Sequence, residues 1–101
     1  MITTRVGFGY DMHKLEEGSY IMLGGIRIDS KHTVVAHSDG DIVLHSLSDA
    51  IYGSLAAGDI GTHFPSNKET INIQSVKILK HACELITQSN YMINNIDITI
   101  V

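Results

Sequence analysis

Residues 2–10, Ile2 to Tyr10, read as a first strand that ends in the glycine-spaced Gly7-Phe8-Gly9. Glycine inside a strand marks a bend or a close approach of another backbone. Two β-rich runs, Ser19 to Leu23 and Ile26 to Ile28, flank Gly24-Gly25 and predict a hairpin. Residues Asp29 to His32 form a polar loop, and Val34, Val35 and Ala36 lead into His37. Ser38 or Asp39 is placed to cap a helix that runs to about Ala57 and stops at Gly58. On that helix Asp41, His45 and Asp49 recur every four residues and share one face, which is no core stripe. Residues 59–69 read as a loop holding the only proline, Pro65. Ser75 caps a second helix whose apolar spacing includes Val76, Leu79, Ala82, Cys83 and Ile86, with Asn90 at its end. Asn95 to Val101 alternates polar and apolar and reads as a strand.

The predicted order is strand, hairpin, helix, loop, helix, strand. This is an α+β chain, a two-layer α/β sandwich with helices packed on one face of a sheet. At 101 residues one domain, 1–101, is expected. The final strand is still running at Val101, so a C-terminal part is expected beyond it.

Composition narrows the function. Net charge is −4 with seven Lys plus Arg and no basic run, which argues against nucleic acid. Cys83 is the single cysteine, so no intrachain disulfide can form, in keeping with a reducing cytosol. Its helical spacing predicts a core position. The N-terminus has neither a long apolar run nor a basic, Ser-rich leader. A cytoplasmic, bacterial protein is expected, with a plastid protein stripped of its leader as the alternative.

The chemistry lies in Asp11, His13 and His45. If residues 11–13 are extended, Asp11 and His13 point the same way and form a two-ligand clip. Alone, such a pair is better explained by a capped turn beside a surface histidine. With His45 on a nearby helix, one carboxylate and two imidazoles suit a divalent transition metal, zinc first. Catalytic zinc commonly has three protein ligands and an open fourth position. His37 and Ser38 precede a helix N-terminus, where free N–H groups favour phosphate. Ser38 reads as a cap and anion contact rather than a nucleophile. Asp41 reads as a cap, or as an orienting partner for His45, ahead of direct ligation. Asp49 could orient His45 or bind a hydroxyl. Asp59 could accept from a polyol, with Gly61 allowing close approach. Lys68 could meet phosphate, although loop lysines usually face water. His32, His63 and His81 have no motif partner.

These residues, taken together, resemble a known family. Gly7-Phe8-Gly9-Tyr10-Asp11-Met12-His13, Leu23-Gly24-Gly25, Ala36-His37-Ser38-Asp39-Gly40-Asp41 with His45, Gly58-Asp59-Ile60-Gly61 and Phe64-Pro65 are similar to the 2-C-methyl-D-erythritol 2,4-cyclodiphosphate synthases. The resemblance implies a lyase of the non-mevalonate isoprenoid pathway. It would convert 4-diphosphocytidyl-2-C-methyl-D-erythritol 2-phosphate to the 2,4-cyclodiphosphate and CMP. It implies Zn2+ on Asp11, His13 and His45, and Mg2+ or Mn2+ at a second site whose protein ligand lies outside this chain. It implies His37 as stabiliser of the transition state. Substrate contacts would come from Asp11, Met12, His13, His37, Ser38, Asp59, Ile60, Gly61 and a mobile loop of Phe64, Pro65, Ser66, Asn67 and Lys68. The family loop usually has Asp where Ser66 stands. A homotrimer with sites shared between subunits is also implied, with no nucleic-acid or membrane partner. The alternative from a different class is a non-catalytic zinc- or phosphate-binding fragment. A weaker third option is a metal-dependent phosphate-ester hydrolase.

Overall fold

The structure, a computed structural model, describes residues 3–101. It is a mixed α+β chain of short strands and three helices: β1 (Leu15–Glu17), β2 (Tyr20–Leu23), β3 (Ile26–Asp29), β4 (His32–Val34), α1 (Ile42–Ser54), α2 (Ile60–His63) and α3 (Ser75–Gln88). Among the described residues the strands form two separate antiparallel pairs, β1 with β4 and β2 with β3, rather than one sheet.

The Gly-Gly hairpin forms as its sequence predicts. Tyr20 pairs with Asp29 and Leu23 with Ile26. Gly24 and Gly25 have φ of 63° and 80°, the double positive φ that a two-residue type I′ turn requires. The polar loop expected at 29–32 is shorter than predicted, because Asp29 ends β3 and His32 begins β4. The pairing of β1 with β4 has no signal in the sequence, since Leu-Glu-Glu and His-Thr-Val carry no strong period.

Both terminal strands are corrected. Ile2 lies outside the described residues, and residues 3–14 form no strand. Residues 95–101 form none either. A strand exists only by pairing with a neighbour, and an alternating pattern supplies no neighbour. Residues 7–9 instead press onto α1. A Cβ on Gly7 would stand 1.9 Å from the Ala50 carbonyl oxygen, and one on Gly9 1.8 Å from that of Ser46. Only a residue without Cβ can lie there.

The N-cap of α1 is Asp41, not Ser38 or Asp39. Its carboxylate accepts from Leu44 N–H at 3.0 Å, and also from the hairpin turn, Gly24 N–H at 2.9 Å and Gly25 N–H at 2.6 Å. One fully buried carboxylate thus ties the β2–β3 turn to the start of α1. Asp41→Ala is expected to destabilise the fold by about 3 kcal/mol, combining a lost cap with the loss of two charge-assisted hydrogen bonds to the hairpin turn. A lowered urea midpoint at unchanged slope is the expected readout.

The helix α1 ends at Ser54, earlier than the expected Ala57, and the chain then turns through Ala56 and Gly58 at positive φ. The expected 59–69 loop contains the short α2, capped by Asp59. Ser75 is the first residue of α3 rather than its cap, which is Gln74. The chain leaves α3 through Asn90, in the left-handed region, as predicted. The core lies between α1 and α3, where Ile51 and Tyr52 meet Ile78, Ala82 and Ile86. Cys83 packs half-buried against it, and burial raises its thiol pKa. Among the described residues no helix is long and apolar enough to cross a membrane.

Candidate metal centre

The segment laid across α1 by Gly7 and Gly9 delivers Asp11 and His13 to His45, a buried residue one turn into that helix. Asp11 Oδ2 stands 3.1 Å from His13 Nδ1 and 3.3 Å from His45 Nδ1. One donor atom from each residue lies within 4.8 Å of the others. Two donors bound to one zinc at about 2.0–2.1 Å with tetrahedral angles stand about 3.3 Å apart.

Hydrogen bonding supports the same reading. Asp11 Oδ2 and His13 Nδ1 are both buried and neither has a hydrogen-bond partner. Buried polar atoms are rarely left so, and a cation between them satisfies both. The residues therefore fit a divalent metal with a carboxylate and two imidazoles as donors.

The surroundings are acidic. Burial raises the Asp49 pKa from its ordinary value, and the charges of Asp59 and Asp11 add to the shift; the Ile60 N–H and His45 oppose it. Asp49 does not orient His45. Its Oδ1 accepts from the Ile60 N–H at 2.9 Å and so anchors the start of α2. Nor does Asp41 orient His45, since its oxygens serve the cap and the hairpin. Instead His45 Nε2 meets the Ser75 hydroxyl at 2.8 Å and the Ser38 hydroxyl at 3.0 Å.

The other predicted site residues divide into three groups. His37 Nε2 contacts the Asn67 carbonyl and the Thr70 hydroxyl, each at 3.0 Å. That ties His37 to the 65–70 loop, where Thr70 donates to the Pro65 carbonyl at 2.7 Å. Ser66 and Lys68 are exposed. Asp59 Oδ1 accepts from Thr62 N–H and Thr62 Oγ1, both at 3.0 Å, capping α2, while Gly61 is exposed. Ile60 and Phe64 pack against the core, and Met12 is 78% exposed. Buried Tyr52 and half-buried His63 and His81 form a separate cluster. The Tyr52 hydroxyl lies 2.7 Å from His81 Nδ1 and His63 stacks on the ring at 4.4 Å. Burial pushes the Tyr52 pKa up to about 12.

Ser75 and Asp39 are the residues that the sequence did not single out for the metal centre. Ser75 is 30 positions from His45, and no periodicity links a residue at a second helix's start to an imidazole on the first.

Comparison with known proteins agrees with this geometry. Residues 4–101 match the YgbB family. The chain is 48% identical over 98 residues to 2-C-methyl-D-erythritol 2,4-cyclodiphosphate synthase of Pseudomonas paraeruginosa, covering 96% of this chain and 62% of that one. It is 48% identical over 101 residues to the synthase of Acinetobacter baylyi, covering 99% and 62%. Among solved structures it resembles a 2C-methyl-D-erythritol-2,4-cyclodiphosphate synthase with TM-score 0.79 and 39% identity, covering 85% of this chain and 58% of that one. It also resembles a CDP complex of IspF from Plasmodium falciparum with TM-score 0.69 and 42% identity, covering 85% and 52%. The chain thus spans about three fifths of the length of these curated relatives. With the Asp-His-His cluster assembled and the match running through nearly every residue, the chain belongs to the YgbB family, that of the 2-C-methyl-D-erythritol 2,4-cyclodiphosphate synthases.

Proposed function

We propose that this chain carries the metal-binding part of a cyclodiphosphate synthase domain. The reaction converts 4-diphosphocytidyl-2-C-methyl-D-erythritol 2-phosphate to the 2,4-cyclodiphosphate. The 2-phosphate oxygen attacks the β-phosphorus, the bond from that phosphorus to the CMP oxygen breaks, and CMP leaves. The observation that carries this reading is the pair of buried, unpartnered donor atoms on Asp11 and His13 facing His45.

Asp11, His13 and His45 would hold Zn2+, which when bound supplies a Lewis acid for a phosphate oxygen. In-line transfer between anions needs positioning and charge neutralisation more than covalent help. Ser38, beside His45, is a substrate contact in this reading. His37, held by the 65–70 loop, stabilises the transferring phosphoryl group. Asp59, Ile60 and Gly61 hold the methylerythritol hydroxyls, and residues 64–68 close over the substrate. A second ion, Mg2+ or Mn2+, when bound would supply further charge neutralisation for the diphosphate. The homotrimer and the two-layer sandwich belong to the same proposal. Exposed Val6, Phe8, Tyr10 and Met12 alternate along one segment, as do Ile96, Ile98 and Ile100 along another, and such apolar edges suit cover by a further layer.

Incubation with the diphosphocytidyl substrate, Zn2+ and Mg2+ is followed by 31P NMR. A cyclic diphosphate with equimolar CMP is expected, and His37→Ala is expected to lower kcat about 10²–10³-fold. Linear phosphate products contradict cyclisation. The second reading is a zinc- or phosphate-binding chain without turnover, which the metal-capable cluster alone would also support. Zinc binding with no CMP release supports it.

A further inference from the structure

We propose that Ser75 and Asp39 are positioning residues that fix the tautomer of His45 and so aim its Nδ1 lone pair at the metal; this rests on the metal reading above. Ser75 is fully buried. Its hydroxyl donates to Asp39 Oδ1, and its backbone N–H donates to Asp39 Oδ2 at 3.1 Å. Asp39 Oδ1 also accepts from the Asp41 N–H at 3.2 Å. Every partner of Asp39 in this group is a donor, so the carboxylate acts here only as an acceptor.

That commitment travels along the chain. The Ser75 proton is spent on Asp39, which leaves Ser75 Oγ to accept at its other contact, His45 Nε2 at 2.8 Å. His45 Nε2 therefore carries the proton, and Nδ1, which faces Asp11 at 3.3 Å, carries the lone pair. Ser38 cannot impose this order. Its hydroxyl oxygen accepts from the Gly40 N–H at 3.1 Å, but its own proton has no fixed acceptor and could point at Nε2. A ligating histidine commonly donates its other N–H to a carboxylate. Here the carboxylate acts through one hydroxyl. The same link joins the start of α3 to α1, so folding of the helix pair and orientation of the ligand are one event.

Asp39→Asn tests the polarity. An amide NH2 in place of Oδ2 meets the Ser75 N–H; in place of Oδ1 it meets the Asp41 N–H and Ser75 Oγ, pushing the hydroxyl proton toward His45. Two readouts are taken at mildly alkaline pH on protein whose helicity by circular dichroism matches wild type. In metal-free protein, 15N NMR of the imidazoles should show His45 as the Nε2–H tautomer. Ser75→Ala and Asp39→Asn should mix or invert it, while Ser38→Ala should leave it. Zinc competition with a chelator should show affinity about 10–100-fold weaker in Ser75→Ala and Asp39→Asn. An Nδ1–H tautomer in wild type, or an unchanged tautomer in both variants, overturns the proposal. Failure of wild type to take zinc contradicts the metal reading instead, and the tautomer measurement on metal-free protein still decides the positioning role.

Discussion

His45→Ala is expected to lower zinc affinity by about a hundredfold or more. Binding free energies of zinc in four-ligand peptide sites are about 10–16 kcal/mol, or about 3 kcal/mol for each ligand, and 1.4 kcal/mol is a tenfold change. His45 is the ligand fixed most firmly, since it is buried on α1 and held by two hydroxyls. Asp11 and His13 arrive on a segment without ladder hydrogen bonds. The variant leaves that pair in place, so weak residual binding should persist. Titration of each variant against a chromophoric chelator checks it. Equal affinity in wild type and His45→Ala would remove this residue from the centre.

Gly9→Ala is expected to cost nearly as much zinc affinity without touching a ligand. The new Cβ would fall 1.8 Å from the Ser46 carbonyl oxygen and 2.9 Å from the Ala50 nitrogen. Both atoms belong to the backbone of α1 and cannot step aside as a flexible side chain could. The segment must lift from the helix, and Asp11, two residues on, moves with it. Overpacking of this kind typically costs about 1–3 kcal/mol in stability. Misplacement of about 1 Å is enough to spoil a ligand set. Thermal unfolding and zinc titration on the same preparation separate the two effects. The expected result is a modest fall in melting temperature with a large fall in affinity. Wild-type affinity in Gly9→Ala would mean that the contact with α1 does not place the ligands.

The candidate ligands were legible because metal chemistry constrains residue type strongly. One carboxylate two positions from an imidazole, with a second imidazole on a helix, leaves few other uses for those side chains. The hairpin was legible because its turn needs positive φ at Gly24 and Gly25. The helices were legible from apolar spacing, although their N-caps were displaced by one to three residues. Asp41 outcompetes Ser38 and Asp39 for the N-cap because its carboxylate also satisfies the hairpin turn, a tertiary contact that local sequence does not display. The terminal strands failed for a related reason. Alternation at 95–101 describes a surface fit for pairing, and pairing depends on a neighbour elsewhere. The role of Asp39 and Ser75 is legible only in three dimensions, since it needs α3 to start beside α1.

X-ray absorption of the zinc-loaded protein tests the central claim most directly. Nitrogen and oxygen donors only are expected, at about 2.0–2.1 Å, with the multiple scattering of two imidazoles. His45→Ala should reduce that signature to one imidazole. A sulfur donor at about 2.3 Å, or an imidazole count that His45→Ala leaves unchanged, would contradict it.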